Sequence, residues 1–229
     1  DHEQWPLPPG RPANPGLVLY LRIDGGFSLY DDARNYWKRR ESRDHEAPER
    51  LASFHFRMPE IWDGLRSNGH VYCEGLLSDW TKWQLRNGVE YQRLCAVLPQ
   101  LAPHQTDWMR PGELTQVSLE DVREIPTITT PYGDVPVTLA PAGAKRVLAL
   151  AYLLVWSHSE HLKACELLGD EPTDRFTILI DEVESHMHPQ WQRRLLPALF
   201  DVIKETGGQQ LLPGAPALSS IQIIAATHS

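Results

Sequence analysis

Phe176-Thr177-Ile178-Leu179-Ile180-Asp181-Glu182 decides how the rest of the chain is read. A short apolar run that stops at two adjacent carboxylates has the pattern of a strand buried on both faces, delivering acids at its C-terminal end. Open α/β sheets bind their ligands beyond that end of the strands. A carboxylate pair placed there serves metal-assisted phosphate hydrolysis, one acid helping to hold Mg²⁺ and the other polarising the attacking water. The dipeptide alone also fits a core strand closing in a solvated turn, so its surroundings must decide.

Downstream, Val183-Glu184-Ser185-His186-Met187-His188-Pro189 leads into a helix expected from about Pro189 to Glu205, with Trp191, Leu195, Leu199, Val202 and Ile203 on one side. Proline suits its first turn and Gly207-Gly208 its exit, while Pro197 predicts a kink. Ile221 to Ala226 reads as a second apolar strand, ending at Thr227-His228-Ser229. Strand, helix, strand is a right-handed parallel crossover, which places His228 on the same sheet edge as Asp181 and Glu182.

Upstream, Ala140-Pro141-Ala142-Gly143-Ala144-Lys145-Arg146 runs into Val147 to Trp156, apolar nearly all round and therefore a buried helix. Small residues at its start leave the first-turn N–H groups uncovered at the positive end of the helix dipole, an arrangement that receives anions. The same glycine also fits a tight loop that only lets the chain enter the core. His158 and His161, beside Glu160, read as surface residues near the helix end.

Residues 1–16 are a proline- and glycine-containing lead-in. Leu17 to Ile23 and Phe27 to Tyr30 form a hairpin about Asp24-Gly25-Gly26, and Ser53 to Arg57 adds a strand. Asp31 to Arg50 reads as a helix and an exposed loop. Leu76 to Leu98 reads as two helices broken at Asn87-Gly88, their tryptophans packed in a core rather than stacked on bases. Leu114 to Leu119, Ile125 to Thr130 and Val135 to Leu139 read as strands, the last two joined by a turn at Pro131 to Asp134.

At 229 residues and 41% hydrophobic content the chain can bury a sizeable core, yet it has no apolar run of membrane-spanning length. No membrane association is expected, and a cytoplasmic location is the default. Three well-separated cysteines imply neither a disulfide framework nor a zinc site. A net charge of −8 argues against nucleic-acid binding over the whole surface, and the one basic concentration, Lys38-Arg39-Arg40 with Arg43, is interleaved with acids.

Taken in chain order, these pieces resemble the ATP-binding-cassette type of P-loop ATPase, and within it the AAA-family ATPases of bacteria related to the overcoming-lysogenization-defect and SMC-like proteins. Ile178 to Glu182 resembles a Walker B strand, and its continuation through Glu184, His186, His188 and Pro189 the acidic and His-Pro pattern of this branch. Ala142 to Arg146 resembles the signature loop and helix, and Thr227-His228-Ser229 the switch histidine.

The resemblance implies an α/β, partial P-loop NTPase fold of ABC type, with parallel strands and an inserted α+β region at residues 17–139, the ATPase half occupying 140–229. It implies ATP and Mg²⁺ as cofactors, Asp181 as the metal residue, and Glu182 and His228 as catalytic residues. Ala142, Gly143, Ala144 and Lys145 would contact the nucleotide of a second protomer in a homodimer of heads. A nuclease or other effector partner, in DNA repair or phage defence, is further implied.

Two departures accompany it. No G-x-x-x-x-G-K-[ST] occurs in the sequence, and the chain stops directly after His228, so a C-terminal fragment with its phosphate loop elsewhere is expected, inactive alone. Pro141 stands where the signature usually has serine. A non-hydrolysing dimerisation or scaffold module is therefore the alternative, and a metal-dependent hydrolase using Asp181, Glu184, His186 and His188 a third.

Overall fold

A computed structural model describes residues 14–35, 51–102, 108–182, 194–200, 202 and 220–226. In chain order the elements are β1 (Leu17–Leu21), β2 (Phe27–Tyr30), β3 (Phe54–Phe56), α1 (Met58–Asp63), β4 (Leu65–Ser67), β5 (His70–Cys73), α2 (Leu76–Arg86), α3 (Val89–Gln100), β6 (Arg110–Pro111), β7 (Thr127–Thr130), β8 (Gly133–Pro136), α4 (Ala142–Leu168), β9 (Arg175–Ile180) and β10 (Ser220–Ala225). Residues 194–200 are also helical.

The principal sheet has the order β10-β9-β1-β2-β3. Its second strand, β9, runs parallel to both β10 and β1, whereas β1, β2 and β3 are antiparallel neighbours. The molecule is thus a mixed α/β structure whose parallel strands carry Asp181 on their central member. The hairpin that opens the chain is built into this same sheet. Gly16 allows the junction: at its φ of +70° a side chain would be strained, and a Cβ there would lie 2.4 Å from the carbonyl oxygen of Arg175.

Directly paired residues on neighbouring strands share a face. Ile180 pairs with Leu21, Leu21 with Phe27 and Phe27 with Phe56, and Phe56 meets the edge of Trp156 on α4 at 5.7 Å between ring centroids. That row identifies the face α4 covers. The burial of α4 is nearly complete from Arg146 to Ser159, and its long run of Ala and Leu combines high helix propensity with apolar surface on every side. Gly169, in the left-handed region, ends it and donates back to its last turn. α2 and α3 pack beside it, separated by Asn87 at φ 47° and Gly88. Trp80 is fully buried, and Trp83 stacks on Tyr152 of α4, so the core role read for these tryptophans fits the packing.

Four expectations need correction. β9 is not buried equally on both faces: Phe176, Ile178 and Ile180 are buried, while Thr177 and Leu179, on the face away from α4, are half-buried. Residues 114–119 make only the isolated bridge between Thr115 and Ile125, because the Ser118 hydroxyl accepts from Asp121 N and turns the chain out, leaving Leu119 and Val122 exposed. Asp31 to Asn35 is a buried turn held by a hydrogen bond from Asp31 N to the Asn35 side chain; the remainder of that predicted helix and loop, 36–50, lies outside the described residues. His158 and His161 are interior rather than surface residues, because the apolar burial of α4 continues past Trp156. Among the described residues no helix is long and apolar enough to cross a membrane.

Candidate functional site

Asp181 leaves the sheet directly after Ile180. Its backbone N–H still donates to Leu21 O (3.0 Å), the last bond of the β1–β9 ladder, while Ala226 N donates to Ile180 O (2.9 Å) from the other side. Both bonds fix the acid at the C-terminal edge of the parallel strands. Its side chain, half-buried, accepts a hydrogen bond from the Tyr20 hydroxyl at 3.1 Å. That bond, before the smaller effect of burial, holds the Tyr20 phenol above its ordinary pKa. Tyr20 pairs with Leu179, on the sheet face opposite the row that meets α4, so Asp181 is presented away from α4.

Glu182 has a φ of +48°. Left-handed backbone in a residue other than glycine costs on the order of 1–3 kcal/mol and recurs at functional sites. The side chain is half-buried. A residue with many helix- and strand-compatible alternatives stands in a conformation that glycine would adopt more easily, which marks the position as held for its carboxylate or by its surroundings.

The first turn of α4 reaches the same edge of the sheet. Arg146, almost fully buried, donates from Nη2 to the carbonyl of Arg22 (3.2 Å), one residue beyond β1, and burial lowers its pKa. Pro141 is the N-cap and offers no side-chain bond, so the helix start is left uncapped. Ala142 is exposed and Gly143, Ala144 and Lys145 are half-buried. A cleft of about 650 Å³ opens beside them, bounded by Asp24, Gly25, Trp62, Thr138, Ala142 and Lys145. The Lys145 ammonium lies 6.0 Å from the centre of the Trp62 ring.

The donor sets fit their expected ligands in kind. Two carboxylates beside a phenol are oxygen donors of the sort Mg²⁺ takes, and an uncapped helix start beside a lysine suits an anion. The structure places Asp181 and Glu182 side by side at one strand end and Ala142 to Lys145 at one helix start, on different faces of the sheet. His228, with the other residues of Thr227-His228-Ser229, lies outside the described residues, as do Glu184, His186, His188 and Pro189. Sequence reasoning did not find Tyr20 or the backbone strain at Glu182. Alternation along β1 places Tyr20 on one face, but only the pairing of β1 with β9 brings it to Asp181; nothing in the sequence signals the φ of Glu182.

A mixed α/β sheet with acids at the C-terminal end of the middle one of its parallel strands has them where open α/β sheets bind ligands. Residues 125–229 match the family model described as AAA domain, putative AbiEii toxin, Type IV TA system, which supports an AAA-family domain over this stretch. No curated protein matches the chain.

Proposed function

We propose that residues 140–229 supply the hydrolytic half of an ATPase head of ABC type, of the lysogenization-defect and SMC-like branch, and that 17–139 is a region inserted into that head. Asp181 holds Mg²⁺ through its water shell, Glu182 orients or deprotonates the attacking water, and His228 senses the γ-phosphate. Bound Mg²⁺ would neutralise charge on the phosphate oxygens of ATP. Ala142, Gly143, Ala144 and Lys145 serve the nucleotide of a second protomer in a homodimer, and hydrolysis is coupled to an effector partner, with DNA repair or phage defence as its setting.

One observation carries this reading. Asp181 and the start of α4 both attach to the end of β1, through Leu21 O and Arg22 O, yet Asp181 is presented on the face away from α4. That separation supports a reading in which the acids and the helix start serve different nucleotides, shared between two heads. The uncapped proline at 141 favours the second reading, a head that dimerises without turnover.

The test is ATP hydrolysis by the protein with its native flanking sequence, mixing an Asp181→Asn, Glu182→Gln protomer with one altered at Gly143→Asp. Complementation in the mixture, with neither parent active, supports composite sites in a dimer. Turnover unaffected by Glu182→Gln would sink the assignment, and no turnover by the unaltered protein would favour the scaffold.

A further inference from the structure

We propose that Asp31 and Asp32 form a binding site for a hard divalent cation, Mg²⁺, Mn²⁺ or Ca²⁺, with His161 as a positioning residue that does not itself ligate the ion. The site stands at the opposite edge of the sheet from Asp181. Tyr30, the last residue of β2, pairs with Val18, and Val18 with Thr177 near the start of β9, so the two places are separated by roughly 15 Å of strand at about 3.3 Å per residue. The inference is independent of the ATPase reading.

One potential ligand atom from each of Asp31, Asp32 and His161 lies within 4.8 Å of the others. Asp31 and His161 are fully buried, and Asp32 keeps 19% of its side-chain surface. Each carboxylate has one oxygen engaged. Asp31 Oδ1 accepts from His161 Nδ1 (2.8 Å) and from Ala33 N (2.9 Å), and Asp32 Oδ2 accepts from the Asn14 amide. The second oxygens, Asp31 Oδ2 and Asp32 Oδ1, are shielded from solvent and have no hydrogen-bond partner among the described residues, Asp32 Oδ1 standing 3.6 Å from His161 Nδ1. A buried carboxylate oxygen without a partner is costly.

The usual compensations are absent among the described residues. Arg34, the nearest cation in sequence, spends one end of its guanidinium on Tyr72 O and lies over the rings of Phe54 and Trp156, forming no ion pair with either acid. His161 does not supply the charge either. Thr173 N–H donates to its Nε2 at 2.9 Å, so that nitrogen carries a lone pair and the proton sits on Nδ1, facing Asp31.

The same tautomer decides the class of metal. Ligation through Nδ1 would move the ring proton to Nε2, against the N–H of Thr173, which disfavours the imidazole-seeking ions Zn²⁺, Ni²⁺ and Cu²⁺. What remains are carboxylate oxygens with room for water on the side of Asp32, the donor set of hard cations. In that arrangement His161 orients Asp31 by donating to the oxygen that does not bind, as outer hydrogen-bond partners do at metal sites. The ion would join the exit of β2 to α4 and to Thr173, two residues before β9.

The test uses the chain stripped with chelator, in the Asp181→Asn background so that the nucleotide edge does not contribute, titrated calorimetrically with MnCl₂ and with CaCl₂ in the absence of ATP. The expected result is one ion per chain, lost in Asp32→Asn and weakened about 10- to 100-fold in His161→Gln. Asp32 is partly exposed, so its variant should fold, and thermal melts in chelator check this. Pulsed electron paramagnetic resonance of the Mn²⁺ form should reveal no directly bound imidazole nitrogen. Absence of any divalent binding, equal binding by Asp32→Asn, or a directly coordinated nitrogen would each overturn the proposal.

Discussion

Carboxylates occupy two kinds of place in this molecule, and the contrast separates what the fold consumes from what it offers. Asp79, on α2, is buried against α4: its Oδ2 accepts from the Tyr152 hydroxyl at 2.6 Å, and the same hydroxyl lies 3.0 Å from Cys73 Sγ. Asp181 and Glu182 stand half-buried where the sheet ends, Asp181 with a hydroxyl 3.1 Å away and Glu182 on strained backbone. A carboxylate inside pays a desolvation cost that its partners only partly offset. One at a strand end keeps lone pairs facing water, and those are what a cation or a reacting water can use.

The comparison breaks if the exposed pair proves structural. Glu182→Gln should lower ATP turnover by about 10²–10⁴-fold, the range of a lost general base, in the protein with its native flanking sequence. Its melting temperature should stay within a degree or two of the parent, since the substitution keeps shape and backbone. Loss of turnover accompanied by a large fall in thermal stability would move Glu182 into the structural class.

The buried acid should instead be visible in the pH dependence of stability. Burial raises the Asp79 carboxyl from 3.8 to about 6, with Glu74 and Glu160 adding to the rise and Tyr152 and Lys82 opposing it. An acid that holds its proton longer in the folded state contributes stability at low pH that is lost as pH rises, here from about 4 to about 6. His158, whose pKa burial and the nearby Arg93 lower from 6.5 to about 3, acts in the other direction: its contribution is present above 6.5 and is lost as pH falls towards 3. The two slopes oppose each other. Asp79→Asn should therefore make unfolding free energy climb more steeply between pH 4 and 6, by on the order of 3 kcal/mol across the window. Urea titrations at pH 4, 5 and 6 measure it, and an unchanged profile would place Asp79 with the solvent-facing acids.

Tyr152→Phe probes the same buried group with a smaller effect. Removing the hydroxyl leaves the Asp79 oxygen short of a donor at a cost of about 1–3 kcal/mol, read as a lower urea midpoint. Among the described residues the Tyr152 hydroxyl bonds only to Asp79 and Cys73, away from the sheet edge, so ATP turnover per folded molecule should not change.

Much of the open site was legible in the sequence and little of the buried one. The run ending in Asp181-Glu182 and the small-residue start of α4 are local patterns, and the parallel pairing of β9 with β10 follows from strand, helix, strand. The interior polar groups depend on contacts distant in sequence: Asp79 with Tyr152 is separated by 73 positions and Asp31 with His161 by 130. His158 and His161 read as surface residues because polar side chains near a helix end are usually exposed. His161 is buried against the turn after β2, and His158 lies near Arg93 of α3, packing that no local period encodes. Likewise the hairpin at the start of the chain shows no sign in sequence that β1 will pair with β9 rather than close a separate unit.

Tyr20→Phe gives the smallest effect and the finest distinction, because among the described residues Tyr20 is the side chain hydrogen-bonded to Asp181. Its hydroxyl donates to a half-exposed carboxylate, so loss of the bond should cost no more than about 1 kcal/mol; water replaces the donor. If Asp181 serves a cation, the phenol competes with the ion for Oδ2 while also orienting the carboxylate. Removing it should shift the Mg²⁺ concentration for half-maximal turnover by a few-fold and leave the ATP-saturated rate nearly unchanged. If Asp181 is instead a strand-ending residue held by Tyr20, the Mg²⁺ profile will not move and the change will fall entirely on stability. Measuring both on one variant distinguishes an acid offered to a ligand from one consumed by the fold.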